Sequence, residues 1–312
     1  MDNVRMRLYR AAAVMMMAAA MLFSSAGAAF AEPILRNDTM TPLLKNGVPF
    51  DLTAEAGQRL YGYDTLQGAC ANGGYAYYAL FNRDVDKCKI VKVRLDGMSV
   101  VKVSAPLKIY HANCLTYNTR KKTIVATCCQ VKDKRVVYID PVRLTVTGKT
   151  DIALKASKKI PKSVVRKYKG FTAVAYNAAN DCYVGRLRGN NNVIILDGSM
   201  RPLRYVKLKG KDTKLLNQSI ETDGNYIYDV RSFKGRRKYN QVTIHTLGGA
   251  YVGKMRFAYG NAPGNELECI FHDGGRWYAG FYYTTSQKHD DKKHKAKRNN
   301  RLYEINRPSA RH

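Results

Sequence analysis

The stretch ANCLTYNTRKKTIVATC, Ala112 to Cys128, holds two alternating apolar and polar runs around a polar loop, Asn118 to Lys122. It reads as a β-hairpin. Four other stretches share the build: QGACANGGYAYYALF (Gln67–Phe81), TAVAYNAANDCYVGR (Thr172–Arg186), QSIETDGNYIYDV (Gln218–Val230) and LECIFHDGGRWYAGF (Leu267–Phe281). Their turn residues, among them Asn72-Gly73-Gly74, Asp223-Gly224-Asn225 and Asp273-Gly274-Gly275, fall at equivalent places, as hairpin chemistry requires.

A third run closed by a turn follows each hairpin. These are KIVKVRLDG (Lys89–Gly97), VVYID (Val136–Asp140), NVIILDG (Asn192–Gly198), VTIHTLGG (Val242–Gly249) and RLYEINRP (Arg301–Pro308). Fourth runs come after the D-G turns, as in SVVKVSA (Ser99–Ala105) and RPLRYVKL (Arg201–Leu208). Four strands recurring at a period of roughly 50 residues predict propeller blades. The fold class is therefore all-β: a five-bladed β-propeller over 67–312, with four-stranded blades near 67–108, 109–155, 171–210, 216–260 and 266–312. A β-sandwich with irregular loops is the competing topology, because alternation alone does not fix strand order. The last unit stops after its third strand and would leave an open sheet edge. The N-terminal segment, 32–66, is expected to complete the last blade with a strand lying within Phe50–Thr65.

Residues 1–31 read as a signal peptide. Arg5, Arg7 and Arg10 precede the uncharged run AAAVMMMAAAMLF, and Ala29-Phe30-Ala31 is a small-x-small cleavage site. A retained N-terminal anchor is the alternative. No later run approaches the ~20 apolar residues of a membrane span, so the mature chain is expected to be secreted or held at the cell surface. Its seven cysteines are an odd number, include the vicinal pair Cys128-Cys129 and form no C-x-x-C. That pattern predicts buried free thiols more readily than a disulfide framework.

Lys and Arg number 53 against 24 Asp and Glu, a formal charge of +29. A field of that sign favours anionic partners. Four basic runs concentrate it. The first is the insertion from Lys155 to Gly170, with Lys158, Lys159, Lys162, Arg166, Lys167 and Lys169, where Ser163–Lys169 is expected to form a short helix. Lys207 to Lys214 is the second; Arg236, Arg237 and Lys238 mark the third; and Lys292, Lys293 and Lys295 belong to the fourth, Ser286–Asn300. Tyr168, set between Lys167 and Lys169, suits stacking on sugars or bases. No sequence-reading nucleic-acid module is visible. The expected partner is an anionic surface polymer, and the chain is expected to act as a monomer.

The inner strand of each blade lines the propeller channel. Gln67, His111, Gln218 and Glu266 open these strands, with Asn113 and Glu268 two residues further on and so on the same strand face. They form a candidate ligand site, with a divalent cation as a possible guest and otherwise no cofactor. Mutual hydrogen bonding in a water-filled channel is the alternative. Cys70, Cys114 and Cys269, of opposite parity, should face the packing between blades. No metal-ligand set or catalytic motif is recognisable.

The combination Gln67-Gly68, His111-Ala112-Asn113 followed by Leu115–Asn118, and Gln218–Gly224 resembles secreted β-propellers of Gram-positive bacteria. These are the propellers of teichoic-acid-associated proteins and of phage receptor-binding proteins. The resemblance implies a propeller head that recognises a cell-surface polymer, with no catalytic residues to carry over. Cys114 replaces the acidic residue of the family's H-x-N-D. The expected function is non-catalytic binding of an anionic polymer. The alternatives are a polysaccharide lyase or hydrolase using His111 with Glu266 or Glu268, and a protein-interaction scaffold.

Overall fold

The computed structural model describes residues 40–128, 134–190, 192–210, 214–232, 239–257, 266–284 and 298–308. The signal-peptide expectation for residues 1–31 lies outside them. The chain begins with β1 (Met40–Pro42), the small hairpin β2 (Leu44–Lys45) and β3 (Val48–Pro49), helix α1 (Leu52–Ala56) and a 3-10 turn at Gly57–Leu60. The first blade follows as β4 (Thr65–Asn72), β5 (Tyr75–Asn82), β6 (Lys87–Arg94) and β7 (Ser99–Val103). The second is β8 (Cys114–Asn118), β9 (Thr123–Thr127), β10 (Arg135–Ile139) and β11 (Val146–Asp151). After α2 (Lys162–Arg166) comes the third: β12 (Phe171–Asn177), β13 (Cys182–Leu187), β14 (Val193–Asp197) and β15 (Pro202–Val206). The fourth comprises β16 (Leu216–Thr222), β17 (Tyr226–Ser232), β18 (Asn240–Thr246) and β19 (Tyr251–Phe257). The fifth has β20 (Glu266–Asp273), β21 (Arg276–Thr284) and β22 (Arg298–Ile305).

Each blade is a four-stranded antiparallel sheet, and the inner strands β4, β8, β12, β16 and β20 touch one another in a closed cycle. The five-bladed propeller read from the repeat is the fold. Apolar residues sort into five clusters, one for each interface between neighbouring blades. Alternation explains this: in a sheet standing between two others, both faces are buried.

The inner hairpins turn as their sequences dictate. Gly73 and Gly74 have φ of 62° and 82°, and Gly274 and Gly275 have 55° and 86°. Two consecutive left-handed residues make the turn whose twist matches the strands it joins. The second and third blades use longer loops. There a left-handed residue, Lys122 or Asp181, precedes the return strand, and Asn118 or Asn177 accepts a loop N–H at 2.7 or 3.1 Å.

The ring closes through the N-terminal strand, as expected, but not within Phe50–Thr65. Strand β1 lies upstream of that window and pairs with β22, with Met40 opposite Ile305 and Pro42 opposite Tyr303. Asp51 explains the shift. Its carboxylate caps α1 by accepting the Thr53 and Ala54 N–H groups at 2.9 and 3.3 Å, so the chain coils there rather than extending. The helix of the first basic insertion begins at Lys162, one residue before its expected start, and ends at Arg166.

Candidate functional site

Antiparallel order gives the ring two unlike faces. Inner and third strands run one way and second and fourth strands the other. The upper face therefore carries every inner-strand start, and the lower face carries every inner hairpin turn.

At the upper end, β-bulges interrupt β4, β12, β16 and β20. A bulge inserts one residue and re-aims its side chain. Gln67, Gln218 and Glu268 sit in such bulges, and Glu266 heads β20. The Gln218 amide donates to Ser232 at 2.9 Å and to the Glu266 carboxylate at 3.4 Å. Glu268 hydrogen-bonds Glu266; burial, reinforced by that neighbouring acid, drives the Glu268 pKa well above the carboxylate range.

Gln67 forms a second group with His111, whose Nδ1 lies 2.8 Å from the Gln67 carbonyl oxygen. His111 also packs on Phe81, with centroids 4.1 Å apart. Burial, then the nearby Arg83 charge, lowers its pKa to about 4. The imidazole is neutral, so Nδ1–H donates to Gln67.

Two expectations about this strand are corrected. His111 and Asn113 are not on the inner strand: Tyr110 and Ala112 take left-handed φ of 49° and 43°, and β8 starts only at Cys114. Left-handed residues break extended geometry, so parity cannot be carried back across them. Asn113 Oδ1 is buried without a hydrogen-bond partner among the described residues. Nor does Cys114 face away from the axis. Its Sγ lies 3.3 Å from the Val174 carbonyl and 3.4 Å from that of Ile220, on β12 and β16. A side chain that reaches a non-adjacent inner strand crosses the ring's centre. Gly68 fixes the approach of β4 to β8. A Cβ there would lie 2.8 Å from the Ala112 carbonyl oxygen and 2.9 Å from Cys114 Cα.

Cys269 packs between blades, Cys70 both joins the cluster between the first and second blades and lines the axis, and all six described cysteines are buried free thiols. Among the described residues, no group of three or more His, Cys, Asp or Glu is arranged to hold a metal ion.

The two basic runs that fall largely among the described residues also belong to the upper face. Lys155–Gly170 joins β11 to β12, and Lys207–Lys214 joins β15 to β16. Lys158, Lys159, Lys162, Arg166, Lys167, Lys169, Lys207 and Lys209 are all exposed. Buried Ile160 and Val164 anchor the first run between the second and third blades. Arg236, Arg237, Lys238, Lys292, Lys293 and Lys295 lie outside the described residues. The flanking strand ends, Ser232 with Asn240 and Thr284 with Arg298, are on the upper face. Tyr168 is engaged in packing rather than free for stacking: its ring meets Phe171 edge-on at 5.5 Å. The lower connections and strand ends mix the two signs, with Asp96, Asp140, Asp181, Asp197, Asp223 and Asp273 set among Arg94, Arg120, Lys121, Lys122, Arg143, Arg201, Arg276 and Arg307.

The lower end of the axis holds a cavity of about 230 Å³, lined from all five blades. Cys70, Tyr117, Tyr176, Glu221 and Phe271 occupy one register position, opposite Tyr77, Ile124, Tyr183, Tyr228 and Tyr278. His272, stacked on Trp277 at 4.7 Å, places Nδ1 3.7 Å from the Glu221 carboxyl. Burial, with a further push from Asp223, raises the Glu221 pKa to about 8. Burial likewise lowers that of His272. Sequence reading passed over this cavity because Glu221, His272 and Asp273 adjoin turns and were absorbed into turn chemistry. The available signal was a lone Glu at a register position otherwise filled by rings and a thiol.

No described helix is long and apolar enough to cross a membrane. No family model and no curated protein matches the chain. Among solved structures, the tail fibre of Staphylococcus aureus phage P68 is similar, with a TM-score of 0.51 and 13% identity, over 78% of this chain and 50% of that one. Glutaminyl cyclase of Myxococcus xanthus matches with a TM-score of 0.48 and 12% identity, over 78% and 92%. A regucalcin of Agrobacterium tumefaciens, a calcium-binding protein, matches with 0.44 and 13%, over 80% and 94%. The chain thus spans half of the phage fibre, and that likeness extends to the fold alone: a β-propeller.

Proposed function

We propose that the chain is an exported β-propeller that binds an anionic cell-surface or extracellular polymer through basic loops on its upper face. The observation that carries this reading is the strand order. Basic runs scattered over the sequence join strand ends of one face, while acids and bases mix in the opposite connections. Concentrating one sign of charge on one face raises the local density of polyanion and orients its approach. The reading asks nothing of catalysis, and the neutral His111 bonded to Gln67 is consistent with a structural role at the channel mouth.

The test is binding of the full chain to purified wall polymer, a heparin-like glycan and DNA at two salt concentrations. Binding should fall steeply with salt, because each phosphate or sulfate contact releases counterions. Absent or salt-insensitive binding across the panel overturns the proposal. Export is tested separately, by the N-terminal sequence of protein recovered outside the cell; a start near Glu32 is expected.

A further inference from the structure

The lower cavity is a second site with the opposite preference. It lies at the far end of the axis from the basic loops, and the residues lining it include no Lys or Arg. Glu221 supplies its uncommitted acid. The side chain is only 7% exposed, and one carboxyl oxygen accepts the Thr222 N–H at 3.0 Å. Among the described residues nothing else hydrogen-bonds that carboxyl, so its second oxygen is left to the cavity that Glu221 lines.

The other acids at the rim are occupied. Asp223 accepts from Arg307 at 2.6 Å, from the Tyr228 hydroxyl and from two backbone N–H groups. Asp273 accepts the Gly73 and Gly74 N–H groups at 3.0 and 2.6 Å. Tyr117, Tyr176 and Phe271 supply aromatic walls. Glu221 keeps its proton in the empty cavity, where the nearest basic group is His272, with Nδ1 3.7 Å away; a bound cation favours release of that proton, and aromatic faces attract cations. An anion would oppose that ionisation, and a neutral guest would draw nothing from it.

We propose that the lower cavity binds a small organic cation, an amine or quaternary ammonium, with its positive charge against Glu221 and its alkyl groups against Tyr117, Tyr176 and Phe271. This is independent of polymer binding on the upper face.

Choline titrated into the full chain at pH 9, where Glu221 is ionised, and followed by calorimetry or by NMR, tests it. Saturable millimolar binding is expected for choline and none for its uncharged isostere, 3,3-dimethylbutan-1-ol. Glu221→Gln, which keeps the shape and removes the charge, should weaken choline by about tenfold or more. Ala178→Trp places bulk on an exposed position at the cavity mouth and should block binding without lowering the melting temperature. Equal binding of the isostere, no saturation with choline, or unchanged binding in either folded variant overturns the proposal. The isostere comparison needs no substitution and decides the matter even if a variant fails to fold.

Discussion

Asp229 is the residue on which the third and fourth blades depend most. It is fully buried and serves two fully buried arginines: Arg186 reaches it at 2.7 Å and Arg231 at 2.6 Å. Arg186 also donates to the Ser219 carbonyl at 3.1 Å and to that of Gln218, so it stitches β13 to the inner strand of the next blade. Removing the carboxylate that lies between two buried guanidinium groups strands charge in a low-dielectric interior. Asp229→Ala should therefore cost about 3–5 kcal/mol, measured by denaturant unfolding. Glu221 makes the complementary pH prediction. Its pKa is about 8 in the folded chain against an ordinary 4.5. Between those values the unfolded chain has released the proton and the folded chain keeps it, so rising pH favours unfolding. The wild type should lose stability relative to Glu221→Gln from about pH 4.5 to 8, and the gap should be flat above that window. Neither residue was legible as special in the sequence. Asp229 follows a tyrosine in an alternating run with Arg231 two residues on, and nothing local reveals that Arg186 converges on it from β13.

At the scale of elements, the repeat was legible because hairpin turns and alternation are local, and the clamps between blades were not because they join distant residues. Asn300, at the start of β22, accepts the Leu66 N–H at 3.0 Å and donates to the Asp64 carbonyl at 2.8 Å and to Thr53 at 2.6 Å. Asn240, at the start of β18, accepts the Leu267 N–H at 3.1 Å. Leu66 and Leu267 hold equivalent places just before their strands' bulges, so the same device joins the fourth blade to the fifth and the fifth to the first. Asn300→Ala leaves a buried inner-strand N–H unpaired and should cost about 1–3 kcal/mol in thermal or denaturant unfolding. The closing strand illustrates the same limit. An open edge on the last blade demanded a partner, which the sequence could say. The three residues of β1 carry too little alternation to be found, and the longer window nearer the first blade drew the assignment instead.

Strand order brings the ends that flank the basic runs to one face of the molecule, and this property was half legible. Composition announced an excess of positive charge and the runs announced its clustering, but which runs share a face follows only from the sense of the strands. Net charge alone cannot distinguish a basic face from a uniformly basic surface; substitutions of equal charge on opposite faces can. Lys158, Lys159 and Lys162 are exposed on the upper face. Arg120, Lys121 and Lys122 are exposed in a lower turn, where Arg120 pairs with Asp181 at 2.9 Å and Lys121 donates to the Gly198 carbonyl. Such surface contacts contribute about 0–1 kcal/mol, so both triple substitutions to Glu should leave the fold intact. They lower the formal charge by the same amount. The upper set should move elution from a heparin column to markedly lower salt and flatten the dependence of affinity on salt, because it removes contacts that release counterions. The lower set should leave both nearly unchanged. Equal shifts from the two sets would mean that the polymer meets the molecule's overall charge and not a face, and the assignment of the upper loops as the binding surface would then be wrong.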